Sequence, residues 1–312
     1  MDALGISDLK ALAERGDILK PFGELDVLLL YAVASSELAA FLGDREIASR
    51  VWLKERTLLN RGSYLPPLHV GEVAGISSDL LQTRARMSLP DAKGSLSPVE
   101  AKVWRYFPPR KLCDYFYATN HEKQGRDIDR IFYDIDRPED IPHEVARQVT
   151  NLFVEAALED DEFLQLAHGK PFVAWTGSSF HVYFFLKKRQ EYDFYAENIQ
   201  FSEKGPKSGF TAEWLQYVRG KTSVKVIAGH EKKLGAITID PSQTPSGKLA
   251  RSPLGSLHMS NYQTVDGVSV PIDASALKDH GLTKSLRDCT PQRLVAEMSS
   301  YRAILSSAEL GL

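Results

Sequence analysis

Two aspartates with one residue between them close a run of β-branched and aromatic side chains, Ile131-Phe132-Tyr133-Asp134-Ile135-Asp136. Such a run suits a strand. Side chains alternate between the two faces of a strand, so Asp134 and Asp136 project from one face and Tyr133 and Ile135 from the other. Two carboxylates this close repel each other unless a cation lies between them. Hard divalent ions such as Mg2+ or Mn2+ favour oxygen sites of this kind and keep water or phosphate as further ligands. Taken alone, Asp-x-Asp is more often two solvated acids at a strand end than a metal site.

Three further pieces follow in the chain. Thr176-Gly177-Ser178-Ser179 is a tight turn whose backbone N–H groups and hydroxyls could cradle phosphate oxygens, with His181 opening the next strand as a further donor. Asp240 ends the short apolar strand Ala236-Ile237-Thr238-Ile239. Arg251-Ser252-Pro253-Leu254-Gly255-Ser256-Leu257-His258 carries an arginine able to fork onto a phosphate, with Ser256 and His258 placed to touch sugar or phosphate. Each piece has an ordinary structural alternative: a satisfied strand histidine, a surface loop arginine.

In this order the four pieces resemble the archaeo-eukaryotic primase superfamily. The likeness is carried most by Asp129-Arg130-Ile131-Phe132-Tyr133-Asp134-Ile135-Asp136 and by Pro253-Leu254-Gly255-Ser256-Leu257-His258. It spans roughly residues 100 to 265. The resemblance implies an α/β (α+β) catalytic core with an RRM-like antiparallel sheet flanked by helices. It implies that Asp134, Asp136 and Asp240 hold two divalent ions, Mg2+ or Mn2+, for two-metal nucleotide transfer with release of pyrophosphate. Ser178, Ser179 and His181 are then expected on the incoming triphosphate, and Arg251, Ser256 and His258 beside triphosphate and sugar. The partners it implies are a DNA template and primer and nucleoside triphosphates. A ligase, an end-binding protein or a second primase subunit would fit as a protein partner.

The sequence departs from the family pattern at the turn. The family's motif usually reads Ser-Gly-x-Gly-x-His; here Thr176 stands for the first serine and Ser179 for the second glycine, and both keep a hydroxyl. A zinc-binding insertion, common in replicative primase subunits, needs cysteines that are absent: the chain has two, Cys113 and Cys289, far apart. No zinc is expected. That favours the stand-alone primase-polymerases and the polymerases of end-joining repair.

The elements that must position these residues are legible in outline. Residues 142–158 place Val145, Val149, Leu152, Phe153 and Ala156 on one helical face, with Pro142 suited to a helix start. Residues 172–175 and 181–186 read as strands on either side of the turn. Residues 1–95 read as a mostly helical region, with Leu9, Leu12 and Ala13, then Leu38, Phe41 and Leu42, at helical spacing. A turn-rich stretch from Ser88 to Ser95 marks the boundary to a catalytic core over 96–312.

A net charge of −3 advertises no nucleic-acid partner, but charge is uneven: residues 134–162 hold ten acids against two bases, and residues 187–233 hold ten Lys and Arg against six acids. A neutral total can hide a basic groove beside an acidic site. Lys187, Lys188, Arg189 and Lys221, with Lys204, Lys207 and Lys225, are candidates for nucleic-acid contact, and Tyr192, Phe194, Tyr195 and Trp214 for base stacking. The N-terminus lacks a signal-peptide pattern and the longest apolar run, residues 27–34, is too short to span a bilayer. With two unpaired cysteines this suits a reducing cytoplasm and no membrane partner. Two rival readings remain at this level: a metal-dependent nuclease using the same carboxylates, and a non-catalytic nucleic-acid-binding subunit.

Overall fold

The computed structural model describes residues 19, 25–203, 205, 209–230 and 233–309. The helical spacing at Leu9, Leu12 and Ala13, and the lysines Lys204 and Lys207, lie outside the described residues. The apolar run at 27–34 opens helix α1 (Val27–Leu42), which is apolar nearly all round and buried along most of its length. That is what a helix without a polar face requires. Asp26 caps it, accepting from the Leu28 amide at 3.1 Å, while its carboxylate also pairs with the fully buried Arg84 at 2.8 Å. Two strands follow within the region expected to be mostly helical, β1 (Ile47–Trp52) and β2 (Thr57–Asn60). Helices α2 (Val70–Ala74), α3 (Ser78–Arg86), α4 (Leu89–Ala92) and α5 (Pro98–Tyr106) then lead to β3 (Cys113–Ala118) and β4 (Ile128–Asp136).

The expected helix and strands appear next: α6 (His143–Leu158), α7 (Asp161–Leu166), β5 (Phe172–Trp175) and β6 (Phe180–Gln190). A π-helical turn (Tyr195–Ile199) and α8 (Phe210–Lys221) precede β7 (Val226–Ala228) and β8 (Ile237–Asp240). The chain closes with β9 (Leu249–Arg251), β10 (Leu257–Met259), β11 (Val265–Val268), β12 (Val270–Ile272), α9 (Leu282–Arg287) and α10 (Pro291–Glu309). Among the described residues the strands make three sheets, ordered β2-β1-β3-β9, β10-β11 and β12-β5-β6-β4-β8-β7. All pairings are antiparallel except β7 with β8. The protein is thus a mixed α/β fold of antiparallel sheets and helices, and the β2-β1-β3-β9 sheet draws strands from both sides of residue 95.

Central strand β4 has two unlike faces. Tyr133 and Ile135 are fully buried against the helices: the Tyr133 ring lies 4.7 Å from Phe153 on α6 and 5.9 Å from Trp214 on α8. Trp214 also packs on Phe163, Phe184 and Phe210. It is therefore a core residue and not the exposed stacking residue expected; at 2 % exposure its ring is worth more buried among aromatics than in water. The other face of β4 carries Arg130, Phe132, Asp134 and Asp136 and lies on the side of α1 and the four-stranded sheet. Phe41 of α1 packs on Phe172, Tyr183 and Phe185 of the large sheet, while Tyr31 of the same helix packs on Tyr115 of β3.

Beyond Asp134, β4 pairs with β8 only over residues 134–136. Upstream, side chains replace the missing strand. The Thr244 hydroxyl accepts from the Phe132 amide and donates to its carbonyl, at 2.9 and 2.8 Å. Asn120 donates to the Arg130 carbonyl at 2.8 Å and accepts from the Asp129 amide at 2.9 Å. Below them Asp129 is wedged between Arg45 and the fully buried Arg130. Burial alone would raise the Asp129 carboxyl, but Arg130 and Arg45 outweigh it and hold it at about 2.

Removing one member of such a buried triad leaves uncompensated charge, so Asp129→Asn should destabilise the protein by about 3–5 kcal/mol in urea unfolding at neutral pH. A folded-state value below the unfolded one means that this stabilisation is present above the unfolded carboxyl range and lost as pH falls toward 2. The gap between wild type and variant should accordingly narrow from pH 4 downward; a gap independent of pH would contradict the assignment.

Candidate active site

The site is built by register. On β4, Asp134 lies opposite His181 of β6 on one side and opposite Asp240 of β8 on the other; Asp136 lies opposite Thr238. Directly paired residues share a face, so all three carboxylates and His181 emerge from the same side of the sheet. His181 Nε2 is 3.5 Å from Asp134 Oδ1. Asp240 accepts from the Ser242 amide at 2.8 Å and hydroxyl at 3.0 Å, and His230 Nδ1 lies 3.2 Å from it. Among the described residues, no three His, Cys, Asp or Glu side chains are already closed around one point.

His181 is nearly buried, its ring edge-on to Phe132 at 4.7 Å. Burial, and then the nearby Arg251, push it well below the usual histidine range. Arg251, at the end of β9, is itself held in place. Its Nη1 donates to the Leu257 carbonyl at 2.5 Å and to the Ser256 hydroxyl at 3.2 Å, and its Nη2 lies 3.8 Å from Asp114. Asp114 is fully buried and also accepts from Arg50 and from the Trp52 indole. The Ser256 hydroxyl, buried, accepts from Arg251 and from the Tyr115 amide. Ser256 therefore fixes Arg251 and the β3 backbone.

The turn after β5 meets the β10–β11 hairpin at unusually short range. Gly177 has φ +99°, and a Cβ there would sit 2.4 Å from the His258 Cβ. A Cβ on Gly267 would sit 2.8 Å from the Gly177 carbonyl oxygen. Only glycine at both positions permits this contact, and it sets His258 beside the turn. His258 Nδ1 lies 3.1 Å from Asp266; burial and then Arg251 lower its pKa, against the pull of Asp266. Within the turn the Ser179 amide donates to the Thr176 hydroxyl at 3.1 Å, and the Ser179 hydroxyl donates to the Ile135 carbonyl. Ser179 thus ties the turn to β4, whereas Ser178 is half-buried.

Three basic residues not singled out in the sequence converge here. The Ser178 carbonyl accepts from Arg137 Nε at 3.3 Å and lies 2.9 Å from His143 Nδ1. Burial lowers the pKa of His143, the Ser178 contact opposes it, and Arg137, Arg287 and His258 lower it further. Arg137 is lowered by burial and then by Arg287. Glu139 and Asp140 oppose that lowering, and Arg137 Nη1 donates to the Pro138 and Ile141 carbonyls at 2.9 and 2.6 Å, which holds the guanidinium beside the turn. Arg137 directly follows Asp136 and could have been noticed; Arg287, on α9, has no local signal.

The other expected nucleic-acid residues lie elsewhere. Lys187, Lys188 and Arg189 are exposed on the far part of β6, six to eight residues beyond His181. At about 3.3 Å per residue that is roughly 20–26 Å from the carboxylates. Lys187 donates to the Leu164 carbonyl, and Arg189 borders a groove with Glu46, His121, Lys123 and Arg126. Lys221 is exposed at the end of α8 and bonds Tyr217, on the helical side of the sheet; Lys225 is exposed beyond it. Tyr192 is exposed, while Phe194 and Tyr195 are partly buried against the core.

The fold is similar to that of one solved polymerase domain. The polymerase domain of Mycobacterium tuberculosis Ligase D, solved in complex with DNA, aligns with a TM-score of 0.58 over 91% of this chain and 91% of that one, at 13% sequence identity. At such identity the likeness defines the fold. No family model matches the sequence, and no curated protein matches it. No helix among the described residues is long and apolar enough to cross a membrane.

Because Gly177 is both left-handed and pressed against His258, Gly177→Ala should lower stability by more than about 1 kcal/mol. Gly94→Ala, where a Cβ meets nothing within 4 Å, is the control and should melt like wild type. Equal thermal melting of the two variants would show that the turn is not under this constraint.

Proposed function

We propose that the protein is a metal-dependent nucleotidyltransferase of the archaeo-eukaryotic primase type, extending nucleic acid from a 3′-hydroxyl on a DNA template with release of pyrophosphate. The observation that carries the reading is the β4 register. It sets Asp134 against Asp240 on one side and His181 on the other, with a Gly/Ser turn bordered by Arg137 and His143 close by. The polymerase-domain fold supports it.

The donor set fits two hard divalent ions. Asp134, Asp136 and Asp240 offer carboxylate oxygens on one face, and both cysteines are buried and free. Carboxylate ligands suit Mg2+ or Mn2+ rather than zinc. Bound there, the ions would lower the pKa of the attacking hydroxyl and neutralise the leaving phosphates. The residues do the positioning. His181 and Arg251 reach the phosphates next to the carboxylates; Ser178, Arg137, His143, His258 and Arg287 line the adjoining turn as the seat of the triphosphate tail. Arg251 arrives already oriented by Leu257, Ser256 and Asp114, so little side-chain entropy remains to be lost on binding.

Incubated with a primed template, divalent ion and nucleotides, the protein should lengthen the primer. Shortening of the primer would identify a nuclease, and no change with tight DNA binding would identify a non-catalytic subunit. Asp134→Asn should reduce extension by about 10³-fold or more, the scale expected for losing several kcal/mol of metal-centred stabilisation, without changing the melting temperature comparably. In a separate series, Arg137→Ala and Arg287→Ala should each raise KM for the nucleotide about tenfold, equivalent to one charge-assisted hydrogen bond, and change kcat less. Unaltered KM in both would remove these residues from the triphosphate seat.

A further inference from the structure

On the side of the four-stranded sheet that α1 does not cover lies a row of planar side chains that the chemistry above uses only at its end. Helix α1 meets β3 through Tyr115, whose ring packs on Tyr31. Side chains alternate along a strand, so Asp114 and Phe116 point to the opposite side. The register carries that side across three strands. Arg50 of β1 lies opposite Asp114, and Arg251 of β9 lies opposite Phe116. Trp52, two residues after Arg50, belongs to the same side.

One buried carboxylate holds the row in order. Asp114 accepts from Arg50 Nε at 2.6 Å and from Trp52 Nε1 at 3.0 Å, and lies 3.8 Å from Arg251 Nη2. The Arg50 guanidinium carbon is 5.1 Å from the Trp52 ring centre and 5.3 Å from that of Phe116; the Arg251 carbon is 5.2 Å from the Phe116 centre. These are cation–π distances, so ring and guanidinium alternate from Trp52 through Arg50 and Phe116 to Arg251. The row stays accessible: Arg50 keeps 35 % of its side chain exposed, and Trp52 and Phe116 are half-buried. Two guanidiniums against one carboxylate leave it net positive, and the exposed turn from β1 to β2 adds Lys54 and Arg56 against Glu55. Aromatic rings and guanidinium planes with surplus positive charge suit unpaired bases and their phosphates. A duplex, whose bases already stack on one another, offers no free base faces. At its end, Arg251 Nη1 donates to the Leu257 carbonyl, next to His258. A strand lying on the row would therefore pass beside the candidate active site.

We propose that this row is a stacking platform for single-stranded nucleic acid, with Phe116 and Trp52 each receiving an unpaired base and Asp114 keeping the guanidiniums between them in line. The binding of such a strand stands on the row itself; its role as the template rests on the function proposed above. Every base has a π-face, so a platform of this kind grips strands of any sequence, which is what the path of a template requires.

Tryptophan fluorescence of the full-length protein gives a direct test. Of the four tryptophans, Trp104, Trp175 and Trp214 are buried at 3 %, 0 % and 2 % exposure, and Trp52 alone is half-buried. A short oligothymidylate should quench the emission on binding, and the same strand in a duplex much less. Trp52→Phe should remove the quenching while anisotropy of a labelled oligonucleotide still reports binding. Phe116→Leu keeps an apolar side chain without a π-face and should raise Kd for the oligonucleotide about tenfold, the scale of one stacked base, whereas Phe116→Trp should bind like wild type. Arg50→Lys keeps the charge but loses the plane; it should weaken binding in the same direction, and it carries the test if Phe116→Leu fails to fold. Unquenched emission at saturating oligonucleotide, equal quenching by duplex and single strand, or folded Phe116→Leu and Arg50→Lys variants that bind as tightly as wild type overturns the inference. So does quenching that a nucleoside triphosphate alone reproduces, which would make the row the seat of the incoming base. Quenching by the single strand in a protein that incorporates no nucleotide would sink the catalytic reading alone, and primer extension by a protein whose Trp52 does not respond would sink the inference alone.

Discussion

The antiparallel register of β4 between β6 and β8 is the constraint on which the site depends. It places Asp134 opposite both His181 and Asp240, and with them every other group of the acidic face. A slip of one residue would send each acid into the helix-packed side of the sheet and bring Tyr133 and Ile135 out of it. The opposite face makes such a slip costly, because Tyr133 and Ile135 are fully buried, Tyr133 within an aromatic cluster with Phe153, Phe184 and Trp214. Thr244 and Asn120 lock the part of β4 that β8 does not cover. Core packing and side-chain clamps on the strand thus hold carboxylates that would otherwise repel one another.

Around that strand, the second sheet supplies the positive charge. Asp114 is the pivot: fully buried, it draws Arg50 and the Trp52 indole toward it and lies 3.8 Å from Arg251. Ser256 completes the hold on Arg251. The hairpin then brings His258 against Gly177, where the turn from β5 to β6 has no room for any side chain. Arg137 arrives from the end of β4, His143 from α6 and Arg287 from α9. No stretch of this chain contains the site; it exists only where β4, the turn, the hairpin and α9 meet, and the burial of α1 between the two sheets holds those parts together.

How much of this the sequence shows differs from residue to residue. The strand with two aspartates is legible because period-two alternation and β-branched composition are local properties; α6 is legible from its helical spacing, and β5, β6 and β8 from short apolar runs. Strands β1 and β3 are not, since Arg50 and Asp114 interrupt their alternation with charges that meet only across the sheet. Trp214 sits on a helix of mixed composition beside lysines, so only its neighbours reveal it as core. Ser179 and Ser256 have the residue type of phosphate ligands, but their hydroxyls are engaged with backbone and Arg251, and burial settles how a hydroxyl is used.

The sequence by itself determined the donor chemistry: which side chains offer carboxylates, which offer positive charge or hydroxyls, and in what order they follow one another. Those are properties of side-chain type and local spacing. Only the tertiary structure decided which of them meet. Asp134 and Asp240 are over a hundred residues apart and become neighbours through one strand pairing, while Lys187, Lys188 and Arg189, only a few residues from His181, are carried away from it by the rise of the strand they share.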